Sequence, residues 1–290
     1  MSERAESMPG SALTGWRTGR TLVMGIINLS PDSFSGDGVT DEAGQIVSDL
    51  AIDCARAFVA NGADILDVGG ESTRPGAEPV PVEIEIERVV SVIRSLVDAV
   101  PVPVSVDTYK PLVAEQALEA GARIVNDVTG LQGDPAMASV VARYRAGVIA
   151  MHMRGRPRTM QIDPRYDDLI GEVRGFLARS VAIGLAAGIP ASAIALDPGI
   201  GFGKNLQHNL EILRRLPELR VVDHALVVGT SRKSFIGRIL GTTPDDRIEG
   251  TAVTVALAIA GGADVVRVHD VRAMARVVRV ADAIVRGYGD

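Results

Sequence analysis

Short apolar runs alternate along the chain with longer stretches in which apolar residues recur at helical spacing. Eight runs are of the short kind, and nearly every one leads directly into a polar residue suited to chemistry. A short apolar run is typical of a buried strand, and an amphipathic stretch between two such runs is typical of a crossover helix. The polar residues that end the runs are Asn28, Glu71, Asp107, Asn126 with Asp127, His152, Asp197, Arg232 with Lys233, and Arg267 with His269 and Asp270.

This alternation predicts eight parallel strands connected by helices, which is the order of an α/β fold of the (β/α)8 TIM-barrel type. The 290 residues fit one such barrel as a single domain. We expect residues 1–15 to form a flexible N-terminal tail and residues 16–290 to form the barrel. The predicted helices span roughly residues 42–61, 83–99, 111–120, 135–144, 166–187, 205–216, 246–260 and 271–286.

The polar residues at the strand ends predict one pocket, because a TIM barrel places its active site at the carboxyl ends of its strands. Two connections that follow strands, residues 29–41 and 70–81, are long and rich in Gly, Pro, Ser and charge. Loops of about 12 residues without secondary structure are usually functional or disordered. We interpret these two loops as mobile lids over the pocket rather than as inert linkers.

Composition narrows the class of function. Hydrophobic residues make up 47% of the chain and aromatic residues only 3%, so the core must be built from Val, Ile, Leu and Ala. The formal net charge of −6 argues against non-specific nucleic-acid binding, which requires a basic surface. No apolar run approaches the roughly 20 residues of a membrane span. The single cysteine, Cys54, falls in a helical pattern and fits a reducing cytoplasm, so we expect a cytoplasmic protein.

The connections after strands seven and eight carry cationic side chains that suit an anion. Residues 231–234 read SRKS, and the eighth run includes Arg267 and His269. TIM barrels often hold phosphate at these two loops, where Arg binds phosphate oxygens bidentately. The alternative is that Lys233 and Arg267 are ordinary surface charges. Because Arg267 is flanked by valines near a strand end, we favour a phosphate or diphosphate site.

Two carboxylates and an amide follow apolar strand residues at similar depth in the pattern: Asp107, Asn126 and Asp197. A carboxylate at such a place is costly unless it is paired. One interpretation is a structural ion pair in the mouth of the barrel. The other is a donor and acceptor set for a flat, nitrogen-rich heterocycle, since carboxylates accept from ring N–H groups and an amide both donates and accepts. Three such groups at one level favour the second interpretation.

Two further features suggest chemistry less specifically. His152 follows the fifth run and suits a base, a ligand or a wall of the pocket, but no second histidine stands at zinc-ligand spacing. The segment GIGFGK, residues 199–204, looks superficially like a nucleotide-binding loop. It lacks the spacing of a phosphate-binding P-loop and is a weak signal for a dinucleotide.

Eight segments in order closely resemble the dihydropteroate synthase family of the bacterial folate pathway, over roughly residues 20–285. That family is a TIM barrel. It joins 7,8-dihydropterin-6-ylmethyl diphosphate to 4-aminobenzoate and releases diphosphate. The segments are MGIINLSPDSFSGDG, DVGGESTRPGA, SVDTYK, NDV, MHMRGRPRTMQ, LDPGIGFGK, GTSRKSFIG and RVHDV.

The resemblance implies a role for particular positions of this chain. Asp107, Lys233 and Asp32 are the implied catalytic residues. The implied pterin-binding residues are Asp107, Asn126, Met151, Asp197 and Lys233. The implied diphosphate-binding residues are Asn28, Arg267 and His269, with Asn28 also the ligand of a Mg²⁺ cofactor. The implied neighbours of the aminobenzoate are Phe34, Thr73, Arg74, Pro75, Lys233 and Ser234.

The resemblance also implies a dissociative mechanism, in which diphosphate leaves before the amine attacks, and a homodimer, for which residues 251–260 offer an apolar helix. The first loop departs from the family, because SFSGDGV stands where SFSDGG is common, so any role carried over to Asp37 is in doubt. Two alternatives stay open: a methyltetrahydrofolate:corrinoid methyltransferase, which shares the pterin set, and a catalytically silent homologue that only binds.

Overall fold

A computed structural model describes residues 16, 18–29, 48–72, 77–155, 158–221 and 223–287. Eight parallel strands close into a barrel in the order of the chain, each hydrogen-bonded to its sequence neighbours and the last to the first. The predicted α/β TIM barrel is therefore confirmed as a single domain. The predicted tail, residues 1–15, lies outside the described residues.

The strands coincide with the eight apolar runs. They are β1 (Leu22–Asn28), β2 (Ile65–Gly69), β3 (Val104–Asp107), β4 (Ile124–Asp127), β5 (Gly147–Met151), β6 (Ile194–Asp197), β7 (Ala225–Val228) and β8 (Val265–Val268). They are buried almost throughout, because helices cover their outer faces and side chains fill the inside of the barrel. This is why they appear in the sequence as nearly continuous apolar runs.

Helices connect the strands and close the outer layer. They are α1 (Ser48–Ala60), α2 (Val82–Ala99), α3 (Pro111–Glu119), α4 (Ala136–Arg143), α5 (Leu169–Ala186), α6 (Leu206–Arg214), α7 (Ser234–Leu240), α8 (Ile248–Ala260) and α9 (Val271–Arg286), with short 3₁₀ helices at Ala191–Ala193 and Leu216–Leu219. Every predicted helix is present, with small shifts at the described ends; the predicted start of the first helix, residues 42–47, lies outside the described residues. The helix α7 was not predicted, and it begins directly where the SRKS segment leaves β7.

Local capping chemistry explains where two of the helices begin. The side chain of Asp168 accepts a hydrogen bond from the backbone N–H of Gly171 and caps α5. Asn205 and His208 form a reciprocal capping box at the start of α6. Such caps satisfy backbone donors that have no partner inside the helix. The cap at Asn205 also ends the GIGFGK loop at a defined place.

The interior of the barrel has an apolar level and a polar level. Side chains of successive strands alternate between the inside and the helices, so residues two apart on one strand share the interior. The lower level is an apolar cluster that includes Trp16, Met24, Ile65, Ile124, Ile149, Ala195, Val227 and Val265. Two residues further along their strands stand Asp67, Asn126, Asp197 and Arg267. The polar level therefore lies toward the carboxyl ends of the strands, above a closed apolar floor.

Among the described helices, none combines the length and the apolar character that would be needed to cross a membrane.

Candidate active site

A pocket of about 400 Å³ opens at the carboxyl ends of the strands. Every strand, or the connection directly after it, contributes to its wall, which confirms the prediction of one convergent pocket. Among the lining residues are Asn28, Glu71, Asp107, Asn126, Met151, Asp197, Ser231, Lys233, Ser234, Arg267 and His269. The described residues of the predicted site thus meet in one place.

Arg267 lines the pocket between two carboxylates. Its Nε donates to Asp67 Oδ2 and its Nη2 donates to Asp107 Oδ2, both at 2.6 Å. Asp107 and Arg267 therefore do form an ion pair, which was one of the two interpretations. Both residues also line the pocket. Arg267 is not an ordinary surface charge, because its side chain is only 20% exposed. Two carboxylates hold this guanidinium in one orientation.

Asn126 is oriented by the same buried carboxylate. Its Nδ2 donates to Asp67 Oδ2 at 3.0 Å, and its side chain is buried. Because an ionised carboxylate can only accept, Asp67 fixes the amide with its nitrogen inward and leaves the amide oxygen for the pocket. Asp67 was not among the site residues predicted from the sequence. Its signal was available, since an aspartate interrupts the apolar run ILDVG two residues before the strand ends.

Asp107 carries an acceptor that nothing in the described structure uses. Its Oδ2 binds Arg267, whereas its Oδ1 is buried without a hydrogen-bond partner. Burial raises the pKa of Asp107 to about 7, although the nearby Arg267 acts to lower it. A buried polar atom without a partner is costly. A ligand N–H at this point in the pocket would satisfy it.

Asp197 is the third acceptor of the pocket. Its Oδ1 accepts from the backbone N–H of Gly199 at 2.6 Å, which fixes the carboxylate against the start of the β6–α6 loop. Burial raises the pKa of Asp197 to about 6, while that hydrogen bond and the charge of Lys233 act in the opposite direction. Asp107, Asn126 and Asp197 therefore present acceptor oxygens to one cavity, as the sequence predicted for a nitrogen-rich heterocycle.

Lys233 and Ser234 stand where β7 gives way to α7. Lys233 occupies the N-cap position, and Ser234 is the first residue of the helix. The Lys233 Nζ lies 4.2 Å from the centre of the Phe202 ring, in cation–π contact across the pocket. Met151 packs with Phe202, Val128 and Met160 in a small apolar cluster beside them. An apolar wall next to a cation and several acceptors suits a flat aromatic ligand.

The expected anion site has a more complex electrostatic pattern than the sequence suggested. His269 makes contact through both its backbone N–H and its ring Nδ1 with Ser231 Oγ, at 3.1 and 3.0 Å. Arg232 binds Asp270 through two hydrogen bonds, so part of its charge is balanced inside the protein. Asn28 ends β1 half-buried and lines the same pocket. The diphosphate roles of Asn28, Arg267 and His269 stay predictions.

A buried cluster fastens both ends of the β2–α2 loop. Lys110 Nζ donates to Glu71, to the carbonyl oxygen of Val80 and to Glu85, and Tyr109 donates to the other oxygen of Glu71. This cluster was not predicted. The residues assigned by resemblance to the two loops lie outside the described residues: Asp32, Phe34, Thr73, Arg74 and Pro75, together with Asp37. Their predicted roles stay predictions.

A Mg²⁺ ion would need only one or two ligands from the protein at this site. The described residues contain no group of three or more His, Cys, Asp or Glu side chains arranged to hold a metal ion. Mg²⁺ usually keeps several waters and is bound through one or two protein oxygens plus substrate phosphates. The amide oxygen of Asn28 at the mouth of an anion pocket fits that mode. The metal role of Asn28 stays a prediction.

Comparison with known proteins gives the same picture. Residues 24–269 match the family described as "Pterin binding enzyme". The fold and the acceptor-lined pocket thus define an enzyme of the pterin-binding barrel class. The dihydropteroate synthase of Synechocystis sp. is 48% identical over 278 residues, covering 96% of this chain and 94% of that protein.

Solved structures agree at the level of the backbone. Yersinia pestis dihydropteroate synthase with a sulfonamide drug complex superposes with a TM-score of 0.87 at 40% identity, covering 91% of this chain and 94% of the other. The Burkholderia cenocepacia enzyme complexed with 7,8-dihydropteroate superposes with a TM-score of 0.81 at 39% identity, covering 91% of each chain. The chain belongs to the dihydropteroate synthase family.

Proposed function

We propose that the protein condenses 7,8-dihydropterin-6-ylmethyl diphosphate with 4-aminobenzoate to give 7,8-dihydropteroate and diphosphate. The observation that carries this proposal is the unpartnered Asp107 Oδ1 in a pocket shared with Asn126 and Asp197. A dihydropterin presents ring N–H and amino donors along one edge, and these acceptors match it. The Burkholderia relative was solved with 7,8-dihydropteroate, the product of this reaction.

The pterin would lie at the polar level of the barrel, with its edge toward Asp107 and Asn126. Asp67 holds the Asn126 amide so that its oxygen accepts from the ligand. Asp197 would accept a second donor, and Lys233 would donate to a ring acceptor. Asp107, Asn126 and Asp197 are each held by a hydrogen bond before binding, so little free energy is spent on ordering these three groups.

The diphosphate would lie at the mouth, near Asn28, Arg267 and His269. Mg²⁺, held there by Asn28 and by diphosphate oxygens, would supply charge neutralisation for the leaving group. Arg267 remains a cation even when paired, and its Nε and Nη2 contacts with Asp67 and Asp107 fix its direction. The roles of Asp32 and of the loop residues Phe34, Thr73, Arg74 and Pro75 in completing the site are carried over from the family.

The reaction would proceed dissociatively. The bond between the pterin methylene carbon and the bridging oxygen breaks, and the electron pair leaves with diphosphate. The lone pair of the aminobenzoate nitrogen then forms the C–N bond, and that nitrogen loses a proton to water. Ionised carboxylates at Asp107 and Asp197 favour the pterin cation electrostatically. Because an arylamine is largely unprotonated near neutral pH, no strong base is required at the pocket.

Turnover tests the activity directly. Purified protein with Mg²⁺ and both substrates should release diphosphate and form dihydropteroate in equal amounts. Asp107→Asn, Asn126→Ala and Asp197→Ala should each lose most turnover while circular dichroism shows a folded barrel. Binding of the pterin diphosphate without any product would identify a catalytically silent homologue. Methyl transfer from methyltetrahydrofolate instead of condensation would identify the methyltransferase alternative.

An isotope experiment tests the order of bond breaking. The pterin diphosphate carries ¹⁸O in the oxygen that joins the methylene carbon to the α-phosphorus. It is incubated with enzyme and Mg²⁺ in the absence of aminobenzoate. A dissociative step makes the labelled oxygen equivalent to the two other terminal oxygens of the α-phosphorus, so the label can scramble into the non-bridging α-oxygens of the re-formed substrate. Label that stays in place while the full reaction turns over would show that the amine must attack before diphosphate leaves.

We also propose that two copies associate through α8 and α9, in a cytoplasmic setting. These helices pack against each other and expose large apolar side chains, with Val253 at 59%, Leu257 at 55%, Val280 at 62% and Ile284 at 79% exposure. Apolar patches of this kind are typical of protein interfaces. Sedimentation should show a dimer that Leu257→Glu converts to monomer, and a monomeric wild type would refute the proposal.

A further inference from the structure

Lys204 is a charged side chain with almost no access to solvent. It is 2% exposed and is among the largest fully buried side chains in the described part of the chain. It ends the GIGFGK segment, which is neither a P-loop nor a dinucleotide loop. A buried lysine is costly unless all its donors are satisfied. Its place in the fold therefore requires an explanation beyond packing.

The Lys204 Nζ has three partners on two different segments. It lies 2.8 Å from His152 Nδ1, 2.9 Å from the carbonyl oxygen of Gly199 and 3.0 Å from that of Phe202. Burial lowers its pKa to about 7, and Asp197 opposes this. In either protonation state the amine has enough N–H donors for both carbonyls, because the ring nitrogen of His152 can accept or donate. The side chain thus joins the end of β5 to the β6–α6 loop.

The loop is wrapped around this amine and has little conformational freedom. Gly199, Gly201 and Gly203 have φ values of 68°, 84° and 62°, in the left-handed region. A Cβ at Gly199 would overlap the carbonyl oxygen of His152, and a Cβ at Gly203 would overlap that of Arg154. The alternating left-handed turns direct two carbonyl oxygens inward, where Lys204 meets them.

The outer side of the same loop forms the pocket wall. Ile200, Gly201 and Phe202 line the pocket, and the Phe202 ring supports the Lys233 ammonium at 4.2 Å. The backbone of Phe202 is held by Lys204, and that of Gly201 is held by Gln161 and Asn209. A single hydrogen bond thus separates the buried amine from the residue that faces Lys233.

We propose that Lys204 is a positioning residue of the active site: by holding the Phe202 carbonyl it fixes the aromatic ring that supports Lys233, and so shapes the part of the pocket around Lys233. This inference rests on the proposed function for its kinetic consequence, but not for its structural one. Asp107 and Asn126, on β3 and β4, are not attached to this loop. Asp197 and Lys233, both implied pterin-binding residues, do contact the loop, so loss of Lys204 should affect both substrates.

The composition of the chain provides a direct spectroscopic test. The sequence contains three lysines, Lys110, Lys204 and Lys233. Protein labelled with ¹³Cε-lysine should therefore give three resonances, each assignable by one substitution. The ε-protons of Lys233 should be shifted upfield by the ring current of Phe202. In Lys204→Met this shift should largely disappear, whereas the Lys110 resonance should stay in place.

Kinetics supply the second readout. In Lys204→Met the KM for aminobenzoate should rise by roughly 10- to 100-fold, since a displacement of about 1 Å can cost that much. The KM for the pterin diphosphate should rise as well, because Asp197 and Lys233 contact the same loop. Lys204→Gln keeps amide donors for the carbonyls of Gly199 and Phe202, so it should fall between the wild type and Lys204→Met. It also provides the same readouts if Lys204→Met does not fold.

A matched control separates positioning from general destabilisation. Asn205→Ala removes the cap of α6 next to Lys204 and leaves the three contacts of the amine intact. It should lower Tm without moving the Lys233 resonance or the KM for aminobenzoate. An unchanged Lys233 resonance in a folded Lys204 variant would overturn the proposal. If the wild type does not condense the two substrates, the proposed function fails, while the resonance experiment still decides the role of Lys204.

Discussion

Asp67→Ala should be among the most damaging single substitutions in the barrel, although no ligand contact is assigned to Asp67. The carboxylate is fully buried and accepts from Arg267 Nε at 2.6 Å and from Asn126 Nδ2 at 3.0 Å. Alanine leaves both donors buried. It also frees the Asn126 amide to rotate, so that the edge offered to the pterin is no longer fixed.

The magnitude follows from what each donor loses. Removing one partner of a buried ion pair typically costs about 3–5 kcal/mol. Arg267 keeps its contact with Asp107, which places the ionic part toward the lower end of that range. The stranded amide nitrogen of Asn126 adds about 1–3 kcal/mol. We expect a total loss of roughly 4–6 kcal/mol in the free energy of unfolding. Asp67→Asn keeps an acceptor and should cost only about 1–2 kcal/mol.

Urea unfolding at pH 7.5 measures these differences, with pterin-diphosphate affinity by calorimetry as the functional readout. Ser105→Ala is a suitable control, because Ser105 pairs with Asp67 in the sheet register and its buried hydroxyl has no hydrogen-bond partner. It should be neutral or slightly stabilising. Equal losses for Asp67→Ala and Asp67→Asn, or unchanged pterin affinity in Asp67→Ala, would refute the reasoning.

Two further predictions concern ionisation and backbone geometry. Because burial raises the pKa of Asp107 to about 7 and the ionised carboxylate is the better acceptor, kcat/KM for the pterin diphosphate should fall as pH decreases below about 7 and level off above it. The residual rate of Asp107→Asn should lack this limb, and a limb that persists must belong to another group. Gly199→Ala should destabilise by at least about 2 kcal/mol more than Gly188→Ala in thermal melts, since both glycines have positive φ but only Gly199 faces a backbone oxygen, whereas Gly188 faces open space. Equal losses at the two positions would show that the loop yields easily.

The fold could be predicted because each strand and each helix has its own hydrophobic pattern in the local sequence. Each buried strand is an apolar run, and each crossover helix has its own amphipathic stretch. The exception is α7, seven residues long, with Gly237 in its middle and Lys233 rather than a capping side chain before it. Its helical conformation depends on tertiary contacts, such as the packing of Arg247 over Gly237, that periodicity does not report.

Site residues that end strands could be predicted from the sequence. Contacts between residues far apart in the sequence could not. Asp107, Asn126 and Asp197 were identified from their place in the pattern, and the structure brings them together. The pairing of Arg267 with Asp67 and Asp107 joins β8 to β2 and β3, at sequence separations of 200 and 160 residues. No local signal encodes such a contact. Lys204 and Phe202 were not predicted as site residues for the same reason. Their role depends on how the β6–α6 loop folds around the Lys204 amine.

The loop at residues 199–203, with its three glycines of positive φ, also limits which substitutions in the pocket wall could reduce the binding of an inhibitor. Part of the pocket wall is backbone held by glycines that cannot accept a side chain, at Gly199 and Gly203. Escape from an inhibitor commonly exploits a side chain that can be enlarged or removed. A compound that rests on the backbone of this loop would leave few tolerated substitutions, because a change that displaces the compound would also displace Phe202 from Lys233.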